Sequence, residues 1–223
     1  MNNLIVIHGA LGSAKQLDEL CEAYEEYYDV FSFDLSGHGG LPMNEKFSID
    51  LFTKDLQHFI VVNELEGADV FGYSMGGYVA LNHARLHPGK LGRIITLGTK
   101  FHWNPAEAEK EIRRLNADLI EQKLPKYASA LEERHAPEDW KKHLEFTAQL
   151  MHDMGNGSAL DIKEFSSIKN PVLVTIGGKD KMVTIEESKA VADILPNGDF
   201  LIFEDFEHPI EQINLDKLIS ETI

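Results

Sequence analysis

Gly72-Tyr73-Ser74-Met75-Gly76-Gly77 is the stretch that decides how this chain is read. It fits the pattern G-x-S-x-G. An apolar run, Ala68-Asp69-Val70-Phe71, precedes it and a helix-like run, Tyr78-Val79-Ala80-Leu81, follows it. A strand, a sharp turn and a helix in that order lift a serine hydroxyl above the end of a sheet. Gly72 and Gly76 leave room where the backbone is crowded, because a Cβ there would meet the neighbouring strand or helix. A serine so placed needs a base, an acid and oxyanion donors from elsewhere in the chain.

Working outward, short apolar runs bounded by Gly, Asp or Pro read as strands buried on both faces. They are Leu4–His8, Val30–Asp34, Ala68–Tyr73, Arg93–Gly98, Val172–Gly177 and Asp199–Glu204. Helical patterns lie between them at Ala14–Tyr27, Ile49–Glu64, Gly76–His87 and Ile185–Leu195. This alternation implies an α/β fold, a mostly parallel sheet with helices on both faces. One interval departs from it. Residues 101–167 lack a strand candidate and show helical periodicity in Pro105–Lys123, Pro125–His135 and Pro137–Met154, each opened by a proline. About 65 residues far exceed an ordinary connection, so the block reads as a small helical lid. Residues 1–100 and 168–223 then form the core.

Ligands of such sheets gather beyond the carboxyl ends of the strands. After the first strand comes His8-Gly9-Ala10-Leu11-Gly12-Ser13, a turn suited to presenting backbone N–H groups to a developing negative charge. The Ala10 and Met75 amides are the oxyanion candidates. After the fifth strand comes Gly177-Gly178-Lys179-Asp180-Lys181, where Asp180 is the candidate acid and its lysine neighbours favour its ionised form. After the last comes Glu207-His208-Pro209, with His208 as the candidate base. Serine needs an imidazole to accept its proton. The imidazole needs a carboxylate on its other nitrogen. His38, in Asp34-Leu35-Ser36-Gly37-His38-Gly39-Gly40, reads as a structural loop histidine.

Composition narrows the classes. The 223 residues carry 21 Lys and Arg against 37 Asp and Glu, a formal net charge of −16, which disfavours nucleic acid and anionic membranes as partners. No apolar run reaches the length of a membrane span, and the N-terminus does not read as a signal peptide. The single Cys21 excludes an internal disulfide, suits a reducing cytoplasm and reads as packing. His83 and His87 lack the glutamate of a His-Glu-x-x-His zinc motif, and neither a Walker loop nor a dinucleotide fingerprint is present. No metal or cofactor is expected. The partner expected is a small-molecule acyl substrate, with the chain acting as a monomer or homodimer.

Together, His8–Ser13, Asp34–Gly39, Gly72–Gly77, Gly178-Lys179-Asp180 and His208 resemble the α/β-hydrolase superfamily over nearly the whole chain. The resemblance implies Ser74 as nucleophile, Asp180 as acid, His208 as base and Ala10 and Met75 as the oxyanion hole. Members usually carry a hairpin or more before the His-Gly turn. Here that turn begins at residue 8, so the sheet expected is six-stranded and all-parallel, lacking the usual first two strands. Glu207 stands where relatives often have glycine.

Acyl transfer to water is the implied chemistry, with a small ester or thioester as substrate. The elbow is also similar to menaquinone-pathway lyases and carbon–carbon hydrolases, but Tyr78 stands where those lyases usually have arginine. A non-catalytic binding protein on the same scaffold is the alternative of another class. Candidate pocket residues are Leu11, Tyr73, His102 and Trp103. Leu115, Leu119, Leu144 and Met151 of the lid either face the pocket or pack lid to core.

Overall fold

The computed structural model describes residues 1–223. Its strands are β1 (Asn2–Ile7), β2 (Tyr28–Ser32), β3 (Asp69–Tyr73), β4 (Ile94–Leu97), β5 (Val172–Gly177) and β6 (Gly198–Phe203). All pairings are parallel, in the order β2-β1-β3-β4-β5-β6. The six-stranded parallel sheet expected from the sequence is therefore present. β1 shows why its apolar run is continuous. Leu4 and Val6 enter the core on one face and Ile5 and Ile7 the core on the other, all four fully buried. A strand covered on both faces needs no polar alternation.

Strand boundaries shift where a neighbour sets them. The second strand spans Tyr28–Ser32 rather than Val30–Asp34, because β1 pairs with it from Asn2↔Tyr28 to Val6↔Ser32. Asp34 lies beyond that register, and its Oδ1 accepts the Ala14 amide at 2.7 Å.

The helices α1 (Asp18–Tyr24) and α9 (Leu215–Thr222) cover the face of Leu4 and Val6. The Tyr24 and Thr222 hydroxyls join them at 2.6 Å. No helix was anticipated at the C-terminus. On the other face lie α2 (Ile49–Val62), α3 (Met75–Leu86) and α8 (Ile185–Ile194). The chain passes from β1 to β2 in one direction, then back across β1 to β3. That reversal opens a crevice beyond the carboxyl ends of β1 and β3, the usual ligand position in an open α/β sheet.

Between β4 and β5 stand α4 (Pro105–Ile112), α5 (Ala117–Lys123), α6 (Pro125–His135) and α7 (Trp140–Asp153). The single helix expected over Pro105–Lys123 is two. The first tightens into a 3₁₀ turn over Arg113–Leu115, which Asn116 ends with an extended ψ of 107°, and the Asn116 side chain accepts the Leu119 amide at 2.9 Å, which starts the second. Helix α7 opens at Trp140 rather than Pro137 because Asp139 is its N-cap, accepting the Lys141 amide at 2.9 Å. Ile120, Leu131, Trp140 and Leu144 form a small core of this insertion, against which Leu11 packs. No helix is long and apolar enough to cross a membrane.

Candidate active site

Ser74 is held between β3 and α3 at φ 51°, ψ −116°, a conformation that costs a non-glycine residue on the order of 1–3 kcal/mol. Crowding around it enforces the turn. A Cβ on Gly72 would run into the Gly77 backbone, and one on Gly76 into the Ile7 carbonyl. Two hydrogen bonds brace the serine itself: its amide donates to Leu97 O at 2.8 Å, and Thr99 Oγ1 donates to its carbonyl at 2.9 Å. The side chain is thereby aimed away from the sheet.

The other two strand-end residues meet it. Ser74 Oγ lies 3.3 Å from His208 Nε2, and His208 Nδ1 lies 2.7 Å from Asp180 Oδ2. Asp180 Oδ1 accepts the Met182 and Val183 amides at 2.7 and 3.0 Å. Burial alone would push the Asp180 carboxyl up. The His208 hydrogen bond and charge, with those two amides, outweigh it and hold the group below the usual carboxylate range. Neither Lys179 nor Lys181, the neighbours expected from sequence to favour the ionised form, is among the main causes, and Lys179 turns away to Asp205 at 3.2 Å. The Tyr73 hydroxyl donates to the His208 carbonyl at 2.9 Å and so fixes the path of the histidine loop, with Glu207 in place of glycine.

A cavity of about 340 Å³ opens beside Ser74 and His208. Ala10 and Met75 line it, and Met75 is the first residue of α3, where a helix amide has no intrahelical acceptor. Leu11, Tyr73 and Trp103 line it as expected, with Leu115 and Met151 from the insertion. His102 does not. The Phe101 and His102 amides both donate to Glu187 Oε1, at 2.9 and 3.1 Å, and this turns the backbone toward α8. The His102 ring is exposed, beside Asn104 at 3.0 Å, on a neighbouring depression. Leu119 is also exposed, and Leu144 is buried within the insertion. A larger polar depression of about 750 Å³ on the insertion touches none of Ser74, Asp180 and His208.

Three charged residues on the cavity wall had no signal in the sequence: Lys100, Glu111 and Arg114. Lys100 is buried and spent on Glu107 at 3.0 Å, Met182 O at 3.3 Å and Glu187 at 3.8 Å. Gly98 was missed too; with φ +62°, any Cβ there would sit 3.3 Å from both Asp180 Oδ2 and His208 Nδ1. His38 is a buried loop residue, as read, packed on His8, Phe47 and His143. Burial pushes the Cys21 thiol up to about 11, so it is not a thiolate near neutral pH. His83 Nε2 meets Gln57 Oε1 at 2.7 Å.

A family model described as serine aminopeptidase, S33, matches residues 2–212. The chain belongs to this family of α/β-hydrolases. It is therefore an enzyme of the hydrolase type. Among curated relatives, an sn-1-specific diacylglycerol lipase of Danio rerio is 23% identical over 92% of this chain and 72% of its own length. A pimeloyl-[acyl-carrier protein] methyl ester esterase of Aliivibrio fischeri is 22% identical over 99% of this chain and 91% of its own. Among solved structures, a thermophilic esterase from Thermogutta terrifontis superposes with a TM-score of 0.78 at 18% identity, covering 99% of this chain and 88% of that one. At that identity the match speaks for the fold.

Proposed function

We propose that this family member is a serine hydrolase that cleaves a small ester or thioester through an acyl-serine intermediate on Ser74. One observation carries the reading: the Ser74–His208–Asp180 chain of contacts, 3.3 and 2.7 Å long, opens directly onto a largely apolar cavity. The ester-acting names among the relatives support it.

The steps follow from the geometry. His208 Nε2 takes the Ser74 proton as Oγ bonds to the substrate carbonyl carbon, and the resulting oxyanion faces the Ala10 and Met75 amides. Asp180 keeps the His208 proton on Nδ1 and stabilises the imidazolium. Collapse breaks the carbonyl–leaving-group bond, and the departing alkoxide or thiolate takes the proton from Nε2. Water then attacks the acyl-serine, gives its proton to His208, and releases the carboxylic acid as Ser74 regains the proton. The helices α4–α7 act as the lid over the acyl group.

A lyase of the menaquinone-pathway type would want a cation at residue 78. Tyr78 instead accepts the Leu160 amide on its hydroxyl at 2.7 Å and is committed to holding the end of the insertion. A cytoplasmic setting and a monomer or homodimer belong to the same reading, resting on the lone thiol and the acidic composition. Stopped-flow hydrolysis of p-nitrophenyl butyrate tests the mechanism. A burst of p-nitrophenol equal to the enzyme concentration, absent in Ser74→Ala, is expected. No turnover by the wild type would favour a binding protein, and turnover retained in Ser74→Ala would remove the serine from the mechanism.

A further inference from the structure

Glu111 is the one carboxylate on the wall of the active-site cavity, and it is 1% exposed. Fifteen of the twenty lining residues are hydrophobic, so this is a charge placed in apolar surroundings. Such a group is costly to bury unless it is paired and hydrogen-bonded. Pairing is present: Arg114 Nη1 lies 2.9 Å from Glu111 Oε2. Hydrogen bonding is not. The arginine approaches off the bonding line, and neither carboxylate oxygen receives a donor. An ionised carboxylate offers about four lone-pair sites. Here they are unfilled.

Arg114 is in a similar position. Its Nη2 makes a long contact of 3.4 Å to Lys181 O, and its side chain, 44% exposed, stands at the rim of the cavity it lines. Lys100, the remaining cation, has its three donors directed at Glu107, Met182 O and Glu187. Besides Ser74, His208 and the Tyr127 hydroxyl, the polar feature of the wall is therefore an ion pair that is neutral overall and presents acceptor and donor side by side.

That charge balance selects the ligand. A substrate carboxylate would set a second negative charge beside the buried Glu111, and an ammonium would add a positive charge beside the half-exposed Arg114 guanidinium already paired with it. A neutral hydroxyl carries neither. It donates to Glu111 and accepts from Arg114 at the same time, while a hydrocarbon stem occupies the apolar wall. We infer that Glu111 and Arg114 determine specificity by selecting acyl chains that end in a neutral hydroxyl group. The inference rests on the serine-hydrolase reading above, since it names the substrate class of that site.

The test is a panel of p-nitrophenyl esters in three lengths. Hydroxyl-terminated 6-hydroxyhexanoate, 8-hydroxyoctanoate and 10-hydroxydecanoate are compared with the methyl isosteres heptanoate, nonanoate and undecanoate, and with 6-aminohexanoate and the monoester of adipate. For at least one length, kcat/KM for the hydroxy ester is expected to exceed that of its isostere by about tenfold to a hundredfold, the scale of one hydrogen bond to a charged group. Glu111→Leu should reduce that ratio to near one, and Glu111→Gln, which keeps the shape and one acceptor, should leave an intermediate ratio. Equal or faster turnover of every methyl isostere overturns the inference. So does a ratio that survives Glu111→Leu, or a preference for the amino or carboxylate ester. Binding of 8-hydroxyoctanamide and nonanamide to Ser74→Ala, read by calorimetry, measures the same preference without turnover. If the wild type cleaves no ester, the serine-hydrolase reading fails and this binding comparison alone decides the inference: tenfold tighter binding of the hydroxyamide supports it, equal binding overturns it.

Discussion

Asp180 divides its carboxylate between His208 on one oxygen and two backbone amides on the other. In the mechanism proposed above it orients the imidazole and stays ionised as the imidazole gains its proton. Asp180→Asn is expected to lower kcat for p-nitrophenyl butyrate by about 10⁴-fold, because the amide imposes the wrong imidazole tautomer. Circular dichroism should show the variant folded. Tyr73→Phe is a milder probe. It removes the hydroxyl that donates to the His208 carbonyl and leaves the ring in place. Stability should fall by about 1 kcal/mol in urea unfolding. Activity should fall by no more than the roughly 10²-fold that a misplacement of about 1 Å costs. At this scale the sequence was most readable where chemistry and position coincide. Ser74, Asp180 and His208 each lie just past a strand end, and strand ends are visible as the close of an apolar run. His102 also lies past a strand, yet the Glu187 carboxylate turns it outward, and that long-range contact has no local signature. Glu111 was invisible for the converse reason. Its neighbours Glu107, Glu109 and Lys110 give it the look of a solvated helix face.

Among the elements, the seam between the core and α6–α7 is built from imidazoles. His8 packs on His38 with ring centroids 4.8 Å apart, His38 on His143 at 4.4 Å, and His143 on His135 at 3.9 Å. All four are buried. His8 Nε2 accepts the Leu35 amide at 3.1 Å and must be unprotonated to do so, leaving Nδ1–H to donate to Gly9 O at 2.8 Å. Burial lowers all four from the ordinary histidine value, to about 4 for His135 and about 2 for His143. Arg134 adds to the lowering of His8, His135 and His143, and Asp34 partly offsets it at His8 and His135. Because the folded values lie below the unfolded one, stability from this seam is fully present above about pH 6.5. It is lost as pH falls from there through about 4 for His135 and on toward about 2 for His143, since the unfolded chain binds more protons. His135 alone contributes up to roughly 3 kcal/mol to this slope. Urea midpoints measured from pH 7.5 to 4.5 should fall steeply below 6.5. His143→Phe should flatten the fall, and a midpoint that does not change with pH would contradict this account of the seam.

Elements were legible in the sheet and less so in the insertion, for a physical reason. A strand buried on both faces, such as Leu4–Ile7 of β1, is an unbroken apolar run and reads unambiguously. The helices between β4 and β5 are short and polar, and their ends depend on single caps. Asn116 and Asp139 move two boundaries by themselves. The C-terminal α9 went unread because it is two turns long and its apolar face, Leu215, Leu218 and Ile219, is interrupted by polar residues.

For the molecule as a whole, 21 basic against 37 acidic residues leave a net charge of −16, which destabilises the compact state through self-repulsion. Salt screens exposed charges over about 10 Å at 0.1 M. Raising NaCl from 10 mM to 0.5 M should therefore raise the melting temperature, by about 2–4 °C for each kcal/mol relieved. A melting temperature that falls would show that exposed ion pairs outweigh the repulsion. The sheet order places the crevice between β1 and β3, and the longest excursion of the chain, residues 101–167, supplies one wall of the cavity beside it. All of the chemistry claimed for this arrangement passes through one oxygen atom. The most direct test is reaction with a fluorophosphonate followed by intact-mass and peptide mass spectrometry. The account predicts one covalent adduct per chain, located on Ser74 and abolished by Ser74→Ala. An unmodified protein, or an adduct on any other residue, would contradict it.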